Sequence, residues 1–313
     1  MLKESMVSLA PPGDTRTIEE ELTADKMLCT FKELEIYIVS AENSPALMTE
    51  VGRIREREYR RVGAGRNLPV DIDHYDKATV PYRQLVAWDP VYKELVAMYR
   101  YIFCRDALKG GDTGLLRTSE LFSFSPDFVA DTLPAAVELG RSVVNQDARR
   151  AILGLFAVWT GLGAMIVEHP EVHWFFGNVS VYRDWPQSAV DLLLAYLNEF
   201  HGARPGQVIA RPDKVYRSNG VTTARDSLFS GVSREDGYDL LVDRLAESGL
   251  APPPILLSYL RATTELLVYD CAEDGDFGGA LEIAITVSTK KLTPKTKRRF
   301  VESYTPLNGG GIL

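Results

Sequence analysis

The sequence predicts an α/β (α+β) protein with a mixed central sheet flanked by helices. Three observations predict it. β-rich runs alternate with amphipathic or apolar runs along the 313 residues. The stretch from Val137 to Tyr182 reads as strand, helix, strand. Two further β-rich runs, Gln84–Trp88 and Glu94–Phe103, flank Asp89-Pro90, a turn that makes them an antiparallel hairpin.

A chain of this length buries a large core, as one large domain or two smaller ones. With 45% hydrophobic and 25% charged residues it has the composition of an ordinary soluble protein. A net charge of -8 argues against duplex nucleic acid as the partner, because that calls for a concentrated basic face. Cys29, Cys104 and Cys271 are odd in number, far apart and without metal-ligand spacing. They read as thiols in a reducing, cytoplasmic setting. His74, His169, His173 and His201 form no HExxH or paired Cys/His pattern, so no metal site is expected. The first apolar run is broken by Ser8 and Pro11-Pro12-Gly13, which does not suit a secretory leader.

Taken in order, residues 1–30 read as a loosely held N-terminal arm. A core follows over residues 31–201. Leu34–Val39 is its first strand. From Ser44, the spacing of Leu47, Val51, Ile54 and Tyr59 predicts a helix ending near Arg61. After the hairpin come a short apolar run at Leu121–Phe124 and a helix starting at Ser125-Pro126. Ala151–Val167 carries no charge over 17 residues. It falls short of the roughly 20 apolar residues of a membrane span and contains Gly154, Gly161 and Gly163, so a buried helix is expected. Gln187–Phe200 is an amphipathic helix. Residues 202–235 are polar and turn-rich, a linker or lid. The C-terminal part, 236–313, holds helices at Gly237–Ala246 and Ile255–Leu260, strands at Leu266–Tyr269 and Ala280–Val287, and a basic tail at Lys290, Lys291, Lys295, Lys297, Arg298 and Arg299.

Chemistry concentrates on Val137–Val144. Strand alternation puts Val137, Leu139 and Val143 on one face and Glu138 and Gly140 on the other. Arg141 breaks that alternation unless the strand bulges, and a bulge frees backbone N–H groups to meet an oxyanion. The other reading is a buried Glu138–Arg141 pair that holds the strand. Arg149 and Arg150 precede the uncharged helix, whose N-terminus attracts anions; they suit a phosphate, or merely a solvated helix start. The loop of Asp71, Asp73 and Asp76 suits an ammonium group or is an acidic surface loop. An EF-hand is excluded, since counting from Asp71 puts Asp76 where Gly is needed and Tyr82 where Glu is needed. The basic tail reads as a solvated face or a dock for an acidic protein.

Several stretches together resemble a known family. Tyr82-Arg83-Gln84-Leu85-Val86-Ala87-Trp88-Asp89-Pro90 and Glu94-Leu95-Val96-Ala97-Met98-Tyr99-Arg100-Tyr101-Ile102 come first. Ser119-Glu120-Leu121-Phe122-Ser123-Phe124-Ser125, Glu138-Leu139-Gly140-Arg141-Ser142-Val143-Val144, Gly161-Leu162-Gly163 and Trp174-Phe175-Phe176-Gly177-Asn178-Val179-Ser180 follow in order. Over residues 34–290 the chain resembles the bacterial GNAT N-acyltransferases of the hemolysin-like group. Within them it is most similar to enzymes that make N-acylated glycine, precursors of glycine lipids. Acyl-homoserine-lactone synthases and ornithine-lipid N-acyltransferases are similar but more distant.

The resemblance implies a GNAT-type fold splayed around an acyl-pantetheine arm. It implies no bound cofactor, with acyl-ACP (or acyl-CoA) as substrate, a 3-hydroxy long-chain acyl group, an acyl carrier protein as partner, and a small amino acid, glycine, as acceptor. A lipid product would bring peripheral membrane contact. Glu138 and Arg141 match the family's Glu-Leu-Gly-Arg core and become the catalytic pair, with Val143 and Val144 at the thioester oxyanion. Asp73, Asp76, Arg100 and Tyr182 fall on the acceptor side, and Arg149 and Arg150 on the pantetheine phosphate. The chain departs from the family at Thr160, where Asp is usual, and at Gln146-Asp147-Ala148, and it lacks a clean Gln/Arg-x-x-Gly-x-Gly signature. The amine of a free amino acid must lose a proton before it attacks, and Glu138, raised in pKa by apolar neighbours, is placed to take it. Arg100 or Arg141 would hold the acceptor carboxylate. Two other readings are a lactone synthase using S-adenosylmethionine as amine donor and a catalytically silent module that binds acyl carrier protein.

Overall fold

The structure, a computed structural model, describes residues 6–110, 112–217 and 228–305. Eight strands form one mixed sheet: β1 (Met27–Phe31), β2 (Leu34–Val39), β3 (Arg83–Asp89), β4 (Glu94–Phe103), β6 (Ala136–Val144), β7 (Trp174–Val181), β9 (Leu266–Asp274) and β10 (Ala280–Ser288). Their spatial order is β1-β2-β3-β4-β6-β7-β10-β9, while β5 (Phe122–Phe124) and β8 (Val208–Ala210) pair separately. Within the large sheet only β6 and β7 are parallel; the other neighbours are antiparallel. The helices are α1 (Thr15–Glu21), α2 (Pro45–Arg61), the single turn α3 (Cys104–Ala107), α4 (Ala151–Glu168), α5 (Gln187–His201), α6 (Arg234–Ala246) and α7 (Pro254–Ala262).

The helices cover both faces of the sheet. α4 packs with Tyr99, Val137, Leu139 and Val179 in the largest core. On the opposite face α2 packs Leu47 and Val51 against Val39, Trp88 and Met98. A third apolar cluster joins Tyr82, Ile102, Phe122, Phe128 and Phe176 under the β6–β7 region. α4 is long and apolar enough to cross a membrane by length and composition, yet 56% of it is buried inside the protein.

Residues 14–31 differ from the loose arm expected of them. β1 pairs with β2, and Ile18 and Leu28 are buried. The physical reason lies at the start of α2. Ser44 makes no side-chain capping bond, so the free N–H groups of Ala46 and Leu47 donate instead to the Glu21 carboxylate at 2.9 and 2.8 Å. The helix expected at Ser125-Pro126 is a π-type turn over Phe128–Thr132. In the expected linker or lid, Val208–Ala210 pairs with β5, and residues 218–227 lie outside the described residues. The basic tail is anchored: Phe300 packs on Trp159 of α4, and the Tyr304 hydroxyl donates to Glu168 at 2.8 Å. Its six lysines and arginines stay exposed.

Two features shape the site. First, β6 bulges. Its pairing with β4 runs Met98↔Val143 and then Arg100↔Gly140, so β6 spends one extra residue, and Arg141 sits at φ 53°. The bulge reverses the facing of everything after it. Leu139 faces α4, whereas Val143 faces the α2 side, not the Leu139 side expected from simple alternation. Second, β6 and β7 pair only from Ala136↔Trp174 to Leu139↔Gly177. At that last pair a Cβ on Gly177 would lie 2.3 Å from the Leu139 carbonyl oxygen, so only glycine permits the close approach. Beyond it β6 stays with β4, β7 stays with β10, and the sheet opens into a V.

The Gly161 and Gly163 positions in α4 also have distinct reasons. A Cβ at Gly161 meets side-chain ends, Leu85 Cδ2 at 3.0 Å and Ile36 Cγ2 at 3.2 Å; at Gly163 it would stand 1.8 Å from the Phe300 carbonyl oxygen. Alanine gains about 1 kcal/mol of helix propensity at either site, while overpacking costs about 1–3 kcal/mol or more where backbone must move. Gly163→Ala is therefore expected to lower the urea midpoint and Gly161→Ala to leave it nearly unchanged. Equal midpoints for the two variants would refute the tail-packing explanation.

Candidate active site

Where β6 and β7 part, a cavity of about 450 Å³ opens. It passes through the plane of the sheet. Tyr99, Leu155 and Ile255 line it on the α4 side, and Arg100, Arg117 and Thr118 on the other. Glu138 lines it near the apex of the V.

The Glu138 carboxylate is held by two hydrogen bonds, one to each oxygen. The Tyr82 hydroxyl donates to Oε2 at 2.9 Å, and the Thr118 N–H donates to Oε1 at 2.9 Å. The Arg117 N–H in turn donates to the Tyr82 hydroxyl oxygen at 2.8 Å. Burial lifts the Glu138 carboxyl to about 7, against the pull of the Thr118 and Tyr82 hydrogen bonds. A carboxyl poised near neutrality and open to a cleft is suited to proton transfer.

Arg141 does not pair with Glu138. It turns to Asp71, with Nε 2.9 Å from Oδ2, and lies over the Tyr59 and Phe277 rings at 5.6 and 5.2 Å. The reading of a structural Glu138–Arg141 pair is thereby replaced by a larger network. Arg55, Arg100 and Arg141 face Asp71, Asp73 and Asp76, three cations against three anions. Arg100 donates to Asp73 at 2.6 Å and to Asp76 at 3.4 Å. Asp76 also meets Arg55 at 3.4 Å and accepts from Gln84 at 3.1 Å. Burial opposes the charge on Asp73, but Arg100 and Arg141 overcome it and hold the carboxyl well below its usual range. Arg100 and Arg141 line the cavity; Asp73 and Asp76 stand behind them and set their positions.

Of Val143 and Val144, only Val144 lines the cavity. The Asn145 N–H donates to Val96 of β4 at 2.9 Å. Successive N–H groups on a strand point to opposite edges, so the Val144 N–H faces the open side of the V and the Val143 N–H faces β4. Arg149 and Arg150 are outside the cavity lining. Arg150 donates to both Asp89 oxygens at 3.0 and 2.8 Å, and both guanidiniums stack on Tyr92 at 4.5 and 4.9 Å. Tyr182 lines the cavity, with its hydroxyl pushed up to about 12 by burial and by Glu282.

Sequence reasoning missed Tyr82, Arg117, Asn178, Ser180 and Glu282, all of which line the same cavity. Glu282 carried a legible sign: it is the one acid in the apolar run Ala280–Val287, the pattern that singled out Glu138. Among the described residues no group of three or more His, Cys, Asp or Glu side chains is placed to hold a metal ion.

Comparison with known proteins places this geometry in context. Residues 54–159 match the acetyltransferase (GNAT) domain. Over 309 residues the chain is 31% identical to a glycine N(alpha)-acyltransferase of Phocaeicola vulgatus, covering 96% of this chain and 94% of that protein. It is 30% identical to a glycine N(alpha)-acyltransferase of Bacteroides thetaiotaomicron, covering 96% and 91%. Among solved structures, a CoA-dependent acyl-homoserine lactone synthase, MesI, aligns at a TM-score of 0.32 and 13% identity, covering 88% of this chain and all of that one.

Proposed function

We propose, because the chain belongs to the glycine N(alpha)-acyltransferase family of GNAT enzymes, that this N-acyltransferase moves a long-chain, 3-hydroxylated fatty acyl group from an acyl-carrier-protein thioester to the amine of glycine. The observation that carries the reading is the cavity through the V with Glu138 inside it. The thioester lies along the cleft, and its apolar arm meets Tyr99, Leu139, Leu155 and Ile255. Its carbonyl oxygen, gaining charge in the tetrahedral intermediate, is received by the Val144 N–H. The acceptor carboxylate meets the guanidiniums that line the cleft, Arg100, Arg117 and Arg141, whose planar forks suit a carboxylate. Glu138 accepts a proton from the nitrogen during transfer, relayed by water along the cleft. No covalent enzyme intermediate is needed.

An acidic carrier protein is supported by the exposed basic run from Lys290 to Arg299 on the α4 side. The buried free thiols Cys29, Cys104 and Cys271 suit the cytoplasm, from which the amphipathic product would partition into the membrane. The test supplies purified protein with a 3-hydroxyacyl carrier protein or the matching acyl-CoA, against a panel of amino acids and S-adenosylmethionine. Mass spectrometry should find N-(3-hydroxyacyl)glycine, formed faster from the carrier-bound donor. Acyl-homoserine lactone as the main product would replace this reading, and no N-acyl product from either donor would end it.

A further inference from the structure

Besides Asp274, which pairs with Arg117, the cleft holds another buried carboxylate on the wall opposite Glu138. Glu282 of β10 lies across the ladder from Ser180 of β7, whose hydroxyl donates to its Oε1 at 2.7 Å. Asn178, two residues back on the same face of β7, has its Oδ1 buried without a hydrogen-bond donor. All three line the cavity. The cluster is rich in acceptors, and an ammonium group brings three donors.

Height along the cleft matters as much as composition. Glu138 is level with Phe176, whereas Glu282 is level with Ser180. The separation is four residues, roughly 13 Å of strand rise toward the open end of the V. The Val144 N–H that faces the cleft also lies toward that end of β6. An amine that attacks a carbonyl held there meets Glu282 before it meets Glu138.

We infer that Asn178, Ser180 and Glu282 form the dock for the ammonium group of the acceptor, and that Glu282 takes the first proton from it. The inference rests on the amino-acid acceptor proposed above. Burial holds the Glu282 carboxyl near 7; the Ser180 hydrogen bond lowers it and Asp274 raises it, while Arg117 and Arg141 face it from across the cleft and lower it. Tyr182 and Cys271 are its other titratable neighbours. The protons balance as follows. The ammonium gives one proton to Glu282, and the freed lone pair forms the C–N bond. The tetrahedral nitrogen loses a second proton, relayed by water in the cleft to Glu138, and the C–S bond breaks. One of the two protons neutralises the departing thiolate and the other reaches solvent.

The test compares wild type, Glu282→Gln and Ser180→Ala with two acceptors, glycine and aminoacetonitrile, whose amine is already neutral at pH 7. With glycine, Glu282→Gln is expected to lose about 100-fold or more in kcat/KM, with KM for glycine raised and KM for the acyl donor nearly unchanged. Ser180→Ala is expected to raise the glycine KM about 10-fold, as loss of one hydrogen bond to a charged group would. With aminoacetonitrile both losses should shrink at least about tenfold, because there is no ammonium proton to remove. Equal losses with both amines would mark Glu282 as structural and overturn the inference, as would wild-type glycine kinetics in either variant. If Glu282→Gln does not fold, Ser180→Ala decides by the same comparison. If wild type acylates no amine at all, the proposed function itself fails, which this design separates from failure of the dock.

Discussion

Glu138→Gln is expected to lower kcat/KM about 10²–10⁴-fold, the usual worth of a positioned acid–base group. The amide fits the site: its oxygen can accept from Thr118, and the Tyr82 hydroxyl can turn to accept from its nitrogen. The loss therefore reads proton transfer, not collapse of the pocket. The pH profile supplies the sharper evidence. Glu138 and Glu282 both titrate near 7, so wild-type kcat/KM should fall below neutrality more steeply than a single ionisation allows. Glu138→Gln should remove one proton from that slope. Stability should move the other way. The folded carboxyl, at about 7, stands above its ordinary value of 4.5, so the fold binds the extra proton between those values. That contribution is fully present below pH 4.5 and is lost as pH rises through about 7. The variant should accordingly gain more in Tm at pH 8 than at pH 5. An unchanged rate from pH 6 to 9 would remove Glu138 from the chemistry.

Arg100→Ala should cost about 3–5 kcal/mol of unfolding free energy, the usual penalty for stripping one partner from a buried ion network. Arg100 is 1% exposed and bonds both Asp73 and Asp76. Without it Asp76 keeps Arg55 and the neutral Gln84, and Asp73 keeps Arg141 at 3.7 Å. The cause can be isolated by adding Asp73→Asn, which removes one orphaned charge. The double variant should recover part of the loss in denaturant unfolding. If it is as unstable as the sum of its parts, packing of the long side chain, not charge, explains Arg100. Acyl transfer should be nearly abolished in both, because Arg100 also lines the cleft.

Much of this was legible in the chain. Leu47, Val51, Ile54 and Tyr59 predict α2, which the structure places at Pro45–Arg61. A run without charge predicts α4, and a mismatch in alternation at Arg141 predicts the bulge. These are local properties, carried by neighbours in sequence. What could not be read is what depends on partners far away. Arg141 was visible as an oddity, but its partner Asp71 lies 70 residues earlier. Glu282 was visible as a lone acid, but its place in the cleft depends on β10 returning to β7. The early residues looked loose because their role, capping α2 through Glu21, belongs to another element's unmet hydrogen bonds. Arg149 and Arg150 looked like an anion site because the sequence does not reveal that Asp89 and Tyr92 occupy them.

The V has a consequence for how the enzyme comes into being. Strands β1 to β4 and β6 are joined by short-range or moderate connections and can assemble as the chain leaves the ribosome. β7 can pair with β6 over its first residues, but beyond Gly177 its partner is β10, about 100 residues later; Ser180 and Glu282 are separated by 102 positions. Non-local pairings of this kind form late, because loop closure precedes their reward. The Glu138 wall of the cleft is thus made early, and the Glu282 wall only once about 100 further residues have emerged. Until then the nascent chain has half a cleft, which can neither enclose a thioester nor bring an amine to it.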